Sequence, residues 1–358
     1  MFNLLKSDMY RLVHGKMLWV ATAVLAGCIV LCAAMMHWVS DPQFLCDAAK
    51  MSATVTVTEA DELDVAADEA AREMAEATAE ERERAMGAAS GAGEEGGVAD
   101  GAADGDGGSA GFEALLEFED PSSLSAADFE ETSREMRTID APTFMFGDML
   151  VSGGFLGALV AVVVALLIAS DFSTKFVRNL PMDRRGRVAY YGGRLVLVAV
   201  VALYFLAVGC VLSLVAFLAA GFTFAALDGA AELLVFLGLS WLCLVAYGCM
   251  TAVLVWLTRS AGAGVAFALV VATGIAGTMA GSLLQNFGMA VPALAAVQPW
   301  LLSTCMNHDL ALPAASLLLP AEGAAWAIPV GAQVAIVGAF WVAACTALAL
   351  AVLRRRDV

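Results

Sequence analysis

The chain has 358 residues, of which 60% are hydrophobic and only 15% charged; 36 acidic side chains face 19 basic ones, for a formal net charge of -17. A mean hydropathy of +0.79 leaves too little polar side chain to cover a water-soluble domain. The acidic balance argues against a nucleic-acid partner, and many of the bases sit beside apolar runs, which is a membrane pattern.

Residues 1–16 open the chain. Phe2, Leu5, Met9, Leu12 and Val13 follow a helical period while Lys6, Arg11 and His14 take other faces. This predicts a cytoplasmic interfacial helix lying at the inner leaflet. The first apolar span covers 17–39, with Trp19 as an anchor at the membrane interface. Leu25-Ala26-Gly27-Cys28 has the look of a lipoprotein cleavage box, but the chain stays apolar through Val39, so the span is expected to remain uncleaved.

Residues 40–148 read as an acidic extracytoplasmic loop, with six bases against 28 acids and a net charge of -22. Glu59 to Met86 is rich in Ala and Glu without Gly or Pro, which predicts a helix. Residues 87–111 contain ten glycines and almost no bulky side chain, which predicts a disordered tract. Within it, Asp100 to Gly108 offers carboxylates of the kind a hard cation takes, but lacks EF-hand spacing and a repeated nonapeptide, so it reads as a solubilising linker. Phe112 to Phe146 regains Leu115, Leu116, Phe118, Phe129 and Met136, which predicts short helices against the outer ends of the spans.

Residues 149–358 carry five further apolar segments: Met149 to Ser170, Leu195 to Ala220, Leu233 to Leu257, Ala261 to Leu284 and Ala327 to Leu353. Residues 287–302 hold Pro292 and Pro299 in a stretch too short to span, and read as an outer re-entrant segment. In the fifth span Gly277 and Gly281 form a GxxxG with Gly274 one turn earlier, a spacing that permits close helix packing. Six spans place 13 of the 19 bases in the cytoplasm: Lys6, Arg11, Lys16, the cluster from Lys175 to Arg194, Arg259 and Arg354 to Arg356. A seventh crossing would export the last three, so both termini are expected inside. The fold class is therefore an all-α integral membrane protein with six transmembrane helices, multi-pass in the cytoplasmic membrane.

Catalytic chemistry is missing from this pattern. His14, His37 and His308 lie in separated segments, no HExxH is present, and Gly15-Lys16 lacks the spacing of a phosphate-binding loop. No CxxC pair suggests zinc, while Cys46 and Cys305 are both placed outside, where a disulfide is chemically allowed. No charged residue lies in the middle of a span, which argues against an independently ion-coupled transporter. The expectation is a noncatalytic chain with no cofactor and no metal.

The opening Asn3 to Trp19, the element DFSTKFVRNL over Asp171 to Leu180, and the ending LRRRDV resemble the permease subunits of the type 2 ABC exporter family, in its small bacterial branch of lantibiotic and peptide-antibiotic export and immunity. Lys175 stands where that family usually has Gly; Asp171, Phe172, Arg178 and Asn179 match its pattern. The resemblance implies a second permease copy or paralogue, cytoplasmic ABC ATPase subunits as partners, and a coupling loop over 171–193. In that loop Phe172 would plug the ATPase surface, Asp171 would orient the turn, Arg178 would pair with a carboxylate across the interface and Asn179 would lock the following turn, with Lys175, Arg184 and Arg185 in the same coupling set. The competing reading is a membrane scaffold or signalling protein with an acidic extracytoplasmic domain. It shares the charge layout but needs no ATPase, and a neighbouring gene for one discriminates the two.

Overall fold

The computed structural model describes residues 9–10, 12–48, 126–173, 184–272, 274–288, 297–320 and 328–355. The expected helix over 59–86, the glycine tract over 87–111 and the whole 174–183 connection lie outside the described residues, as do 1–8 of the N-terminal helix and 289–296 of the expected re-entrant segment. Contact clustering divides the chain into two units, His37–Arg137 and the remainder.

The larger unit is built from apolar helices: α1 (Lys16–Val39), α4 (Phe155–Ser173), α5 (Arg184–Ala219), α6 (Ala230–Thr258), the pair α7 (Ala261–Ala272) and α8 (Ile275–Gly288), and α10 (Val330–Arg355). Five of these, α1, α4, α5, α6 and α10, are long and apolar enough to cross a membrane, and the number is six where the bent α7–α8 pair counts as one broken span. Shorter pieces are α3 (Pro142–Phe146) and α9 (Leu302–Asn307), while α2 (Ala126–Met136) belongs to the smaller unit. Helix α6 is the hub, with α4, α5, α7 and α10 all packed on it. Its residues from Cys243 to Gly248 are buried all round, as expected of a helix whose every face is apolar.

Three expected boundaries change. The second span starts at Phe155 rather than Met149, because residues Gly147–Ser152 form a π-helical turn and Gly154 takes a left-handed φ of 65°. The third does not begin at Leu195 after a separate polar piece: α5 is one helix of 36 residues from Arg184, since nothing between Arg184 and Arg194 breaks it. The fifth is not continuous. The chain bends by 52° between α7 and α8, where Gly274 adopts a φ of 80°.

Residues 302–318, between the expected re-entrant segment and the last span, carry core positions. Leu302, Cys305, Met306, Leu310, Ala314 and Leu317 are buried, and their short turns pack on α6 and α10. A spacing of three to four residues between apolar positions puts them on one side of successive turns.

A two-residue parallel bridge joins β1 (Thr138–Ile139) to β2 (Thr223–Phe224). Beside it the Asp228 carboxylate accepts the Thr143 N–H at 2.8 Å and the Thr143 hydroxyl at 2.5 Å, fixing the start of α3 to the α5–α6 junction. In the smaller unit, the Ser133 hydroxyl donates to the Ser40 carbonyl at 2.5 Å and Arg137 Nε donates to Ser40 Oγ at 3.1 Å. The acidic excursion thus leaves and returns at neighbouring points.

Candidate functional site

The connection between α4 and α5 carries the residues singled out by sequence, and its two stems are described. Asp171 occupies the last turn of α4 and is 1% exposed. Phe172 beside it is half-buried, with part of its ring packed on the apolar core of its own chain. Lys175, Arg178 and Asn179 lie outside the described residues. Arg184 and Arg185 fall in the first turn of α5, which places their backbone and leaves their side chains undescribed.

Helix α5 brings two further side chains to Asp171. Tyr190 donates its hydroxyl to Asp171 Oδ2 at 2.8 Å, and Arg194 Nη2 stands 2.5 Å from the same oxygen. Four residues separate Tyr190 from Arg194, so one helical turn stacks them on one face; the guanidinium carbon lies 5.3 Å from the centre of the tyrosine ring. Arg194 is 3% exposed. A buried carboxylate would be costly alone, and here a guanidinium and a phenol satisfy it.

The cluster extends to the hub helix through aromatic edges. Tyr190 meets Tyr191 at 5.2 Å between ring centres, and Tyr191 meets Trp256 of α6 at 4.9 Å, both edge to face. Three helices are therefore tied together at the foot of the 174–183 connection. Sequence reasoning reached Asp171 and Phe172 but used Arg194 only as a topological charge and left Tyr190 out. The signal was available: a Tyr and an Arg at i and i+4 opening an apolar helix, opposite an Asp closing the preceding one.

A carboxylate already engaged by a cation and a phenol is poorly disposed to act as a base, and no nucleophile is described beside it. Among the described residues no group of three or more His, Cys, Asp or Glu could hold a metal ion. The arrangement ties the two stems of the 174–183 connection to each other and to the hub helix.

The remaining predicted positions lie elsewhere. A Cβ on Gly277 would fall 2.1 Å from Ser303 Oγ, so α8 packs closely on α9 there, whereas Gly281 has nothing nearer than Gln298 Nε2 at 3.9 Å. Gly274 belongs to the bend between α7 and α8 and faces the Asn307 amide. Cys46 and Cys305 are both free thiols.

The fold and the cluster define a multi-span α-helical membrane protein. Comparisons with protein-family models, curated proteins and solved structures return no match.

Proposed function

We propose that the chain is the transmembrane permease subunit of an ATP-driven exporter, a noncatalytic partner of cytoplasmic ABC ATPases, and that it exports a peptide, drug or amphiphile. A second permease copy or paralogue completes the pathway. In this reading the membrane is the cytoplasmic one, both termini are cytoplasmic, and residues 171–193 receive the ATPase.

The observation that carries the reading is the buried Asp171–Tyr190–Arg194 cluster. Force applied to a loop is dissipated if its stems are loose; a loop whose stems share a desolvated ion pair moves α4 and α5 together. Through Tyr191 and Trp256 that movement reaches α6, on which the other helices pack. Charge placement supports the same orientation, since the loop between these stems is rich in bases and the positive-inside bias favours a cytoplasmic position for such a loop.

Copurification tests the reading. An ATPase with a phosphate-binding loop, isolated with the tagged chain and lost from the Phe172→Ala, Arg178→Ala double variant, supports it. Retention of the ATPase by a double variant that inserts normally assigns the bases to headgroup anchoring instead. A chain that purifies with no ATPase favours the scaffold or signalling reading.

A further inference from the structure

Helices α1, α4 and α7 leave between them a partly open cavity of about 610 Å3. Its walls are almost wholly apolar, formed by residues such as Val20 and Val24 of α1, Leu159 and Val163 of α4, and Leu269 of α7. Lys16, at the first turn of α1, is the one charged residue of the lining. The volume is in the range of sites that hold a small ligand.

The Lys16 end carries the marks of a membrane interface. Tyr10 and Trp19 are 64% and 62% exposed, and the Trp19 indole N–H donates to the Val13 carbonyl at 2.9 Å, holding the ring at the start of the span. Amphipathic aromatic rings settle at headgroup depth, so Lys16 lies at that depth while the groove runs from it into the hydrocarbon region. A purely apolar occupant would fill the walls and make no use of the exposed Lys16 ammonium. A soluble anion would satisfy Lys16 and leave the walls empty.

We propose that this groove is a binding site for one anionic phospholipid, its acyl chain against Val20, Val24, Leu159 and Val163 and its headgroup phosphate at Lys16. The inference needs only that the chain spans a membrane and stands apart from any ATPase partner. A single lysine at the membrane surface gives a preference of about fivefold for an anionic over a zwitterionic headgroup.

The test uses the full chain, purified alone in micelles containing equal amounts of phosphatidylglycerol and phosphatidylcholine with identical acyl chains, with retained lipid read by native mass spectrometry. The wild type should retain phosphatidylglycerol about fivefold over phosphatidylcholine. Lys16→Gln should bring the two to parity with lipid still bound, and Lys16→Arg should keep the preference. Val24→Trp should reduce retention of both lipids, and Leu159→Phe gives the same block on another helix should the first variant fold poorly. Parity in the wild type, an undiminished preference in Lys16→Gln, or undiminished retention in the blocked variants overturns the proposal. Because no ATPase is present, none of these outcomes depends on the exporter reading.

Discussion

Asp171 and Arg194 form an ion pair at 2.5 Å, with side-chain exposures of 1% and 4%, between the end of α4 and the early turns of α5. The pair closes the connection that separates the two helices, and Tyr190 shares its carboxylate oxygen. Desolvating both charges is expensive, and the cost is offset only while both partners are present.

That asymmetry sets the first prediction. Asp171→Asn removes the Asp171 charge from the buried guanidinium beside it and should cost about 3 to 5 kcal/mol. Replacing both partners with apolar residues, Asp171→Leu with Arg194→Met, should recover most of the loss. Denaturant unfolding in micelles of fixed composition reads the difference; a single variant as stable as the wild type would show that the pair carries no such weight.

The GxxxG of α8 should prove unequal in its two halves. Gly277→Ala drives a methyl into Ser303, whose Oγ and Cβ lie 2.1 and 2.2 Å from the new atom, and should cost about 1 to 3 kcal/mol. Gly281→Ala meets open space and should be neutral or stabilising by up to about 1 kcal/mol, as alanine suits a helix better. Equal losses in thermal unfolding would contradict the assigned packing of α8 on α9.

Much of the architecture was legible because apolar length is a strong signal: the first, fourth and last spans lie within three residues of their expected starts. The failures have a common physical origin. Residues 302–318 pack as core through apolar positions three to four apart, in turns too short, and interrupted at Pro313, to register as a span. The Asp171 site was half legible, since the residue pattern marked the α4 end while its partners sit on the next helix. Pairing across two helices is tertiary information that neither segment carries by itself.

A third prediction concerns the α5–α6 junction. Asp228→Ala removes the acceptor of both the Thr143 N–H and hydroxyl, leaving a fully buried threonine without it. Loss of such a cap costs about 0.5 to 2 kcal/mol. Amide hydrogen exchange should accelerate over residues 138–146 and remain unchanged at α10; unaltered exchange at Thr143 would refute the assignment.

His308 supplies a pH-dependent term. Its hydrogen bond to Asp309, at 3.2 Å, is the main cause that raises its pKa above the usual imidazole range, against an opposing effect of partial burial. A raised native value means that the contribution to stability is full below the unfolded value and is lost as pH rises through the native one. The His308 resonance, followed by NMR with His14 and His37 replaced by Gln, should titrate above the ordinary value and return to it in Asp309→Asn. Titration at or below the ordinary value in the wild type contradicts the pairing.

The acidic excursion should be separable. Its ends meet through Ser40, Ser133 and Arg137, and the composition of 87–111 offers little apolar surface for burial. Replacing residues 51–120 with a short Gly-Ser linker should leave membrane insertion and unfolding of the helical unit unchanged. A loss of folded protein at matched expression would make that stretch structural.

If the connection between α4 and α5 transmits the work of a partner ATPase, ATP-dependent export by proteoliposomes holding the chain with separately purified ATPase at saturating concentration tests it most directly. Phe172→Ala removes a half-buried ring worth about 1.5 to 3 kcal/mol if the ATPase completes its burial, and Arg178→Ala removes a cation expected at the same contact. The double variant is predicted to insert and bind lipid normally while export and substrate-stimulated ATP hydrolysis fall together. Undiminished export by the double variant at equal reconstitution would contradict the claim and take the connection out of the coupling path.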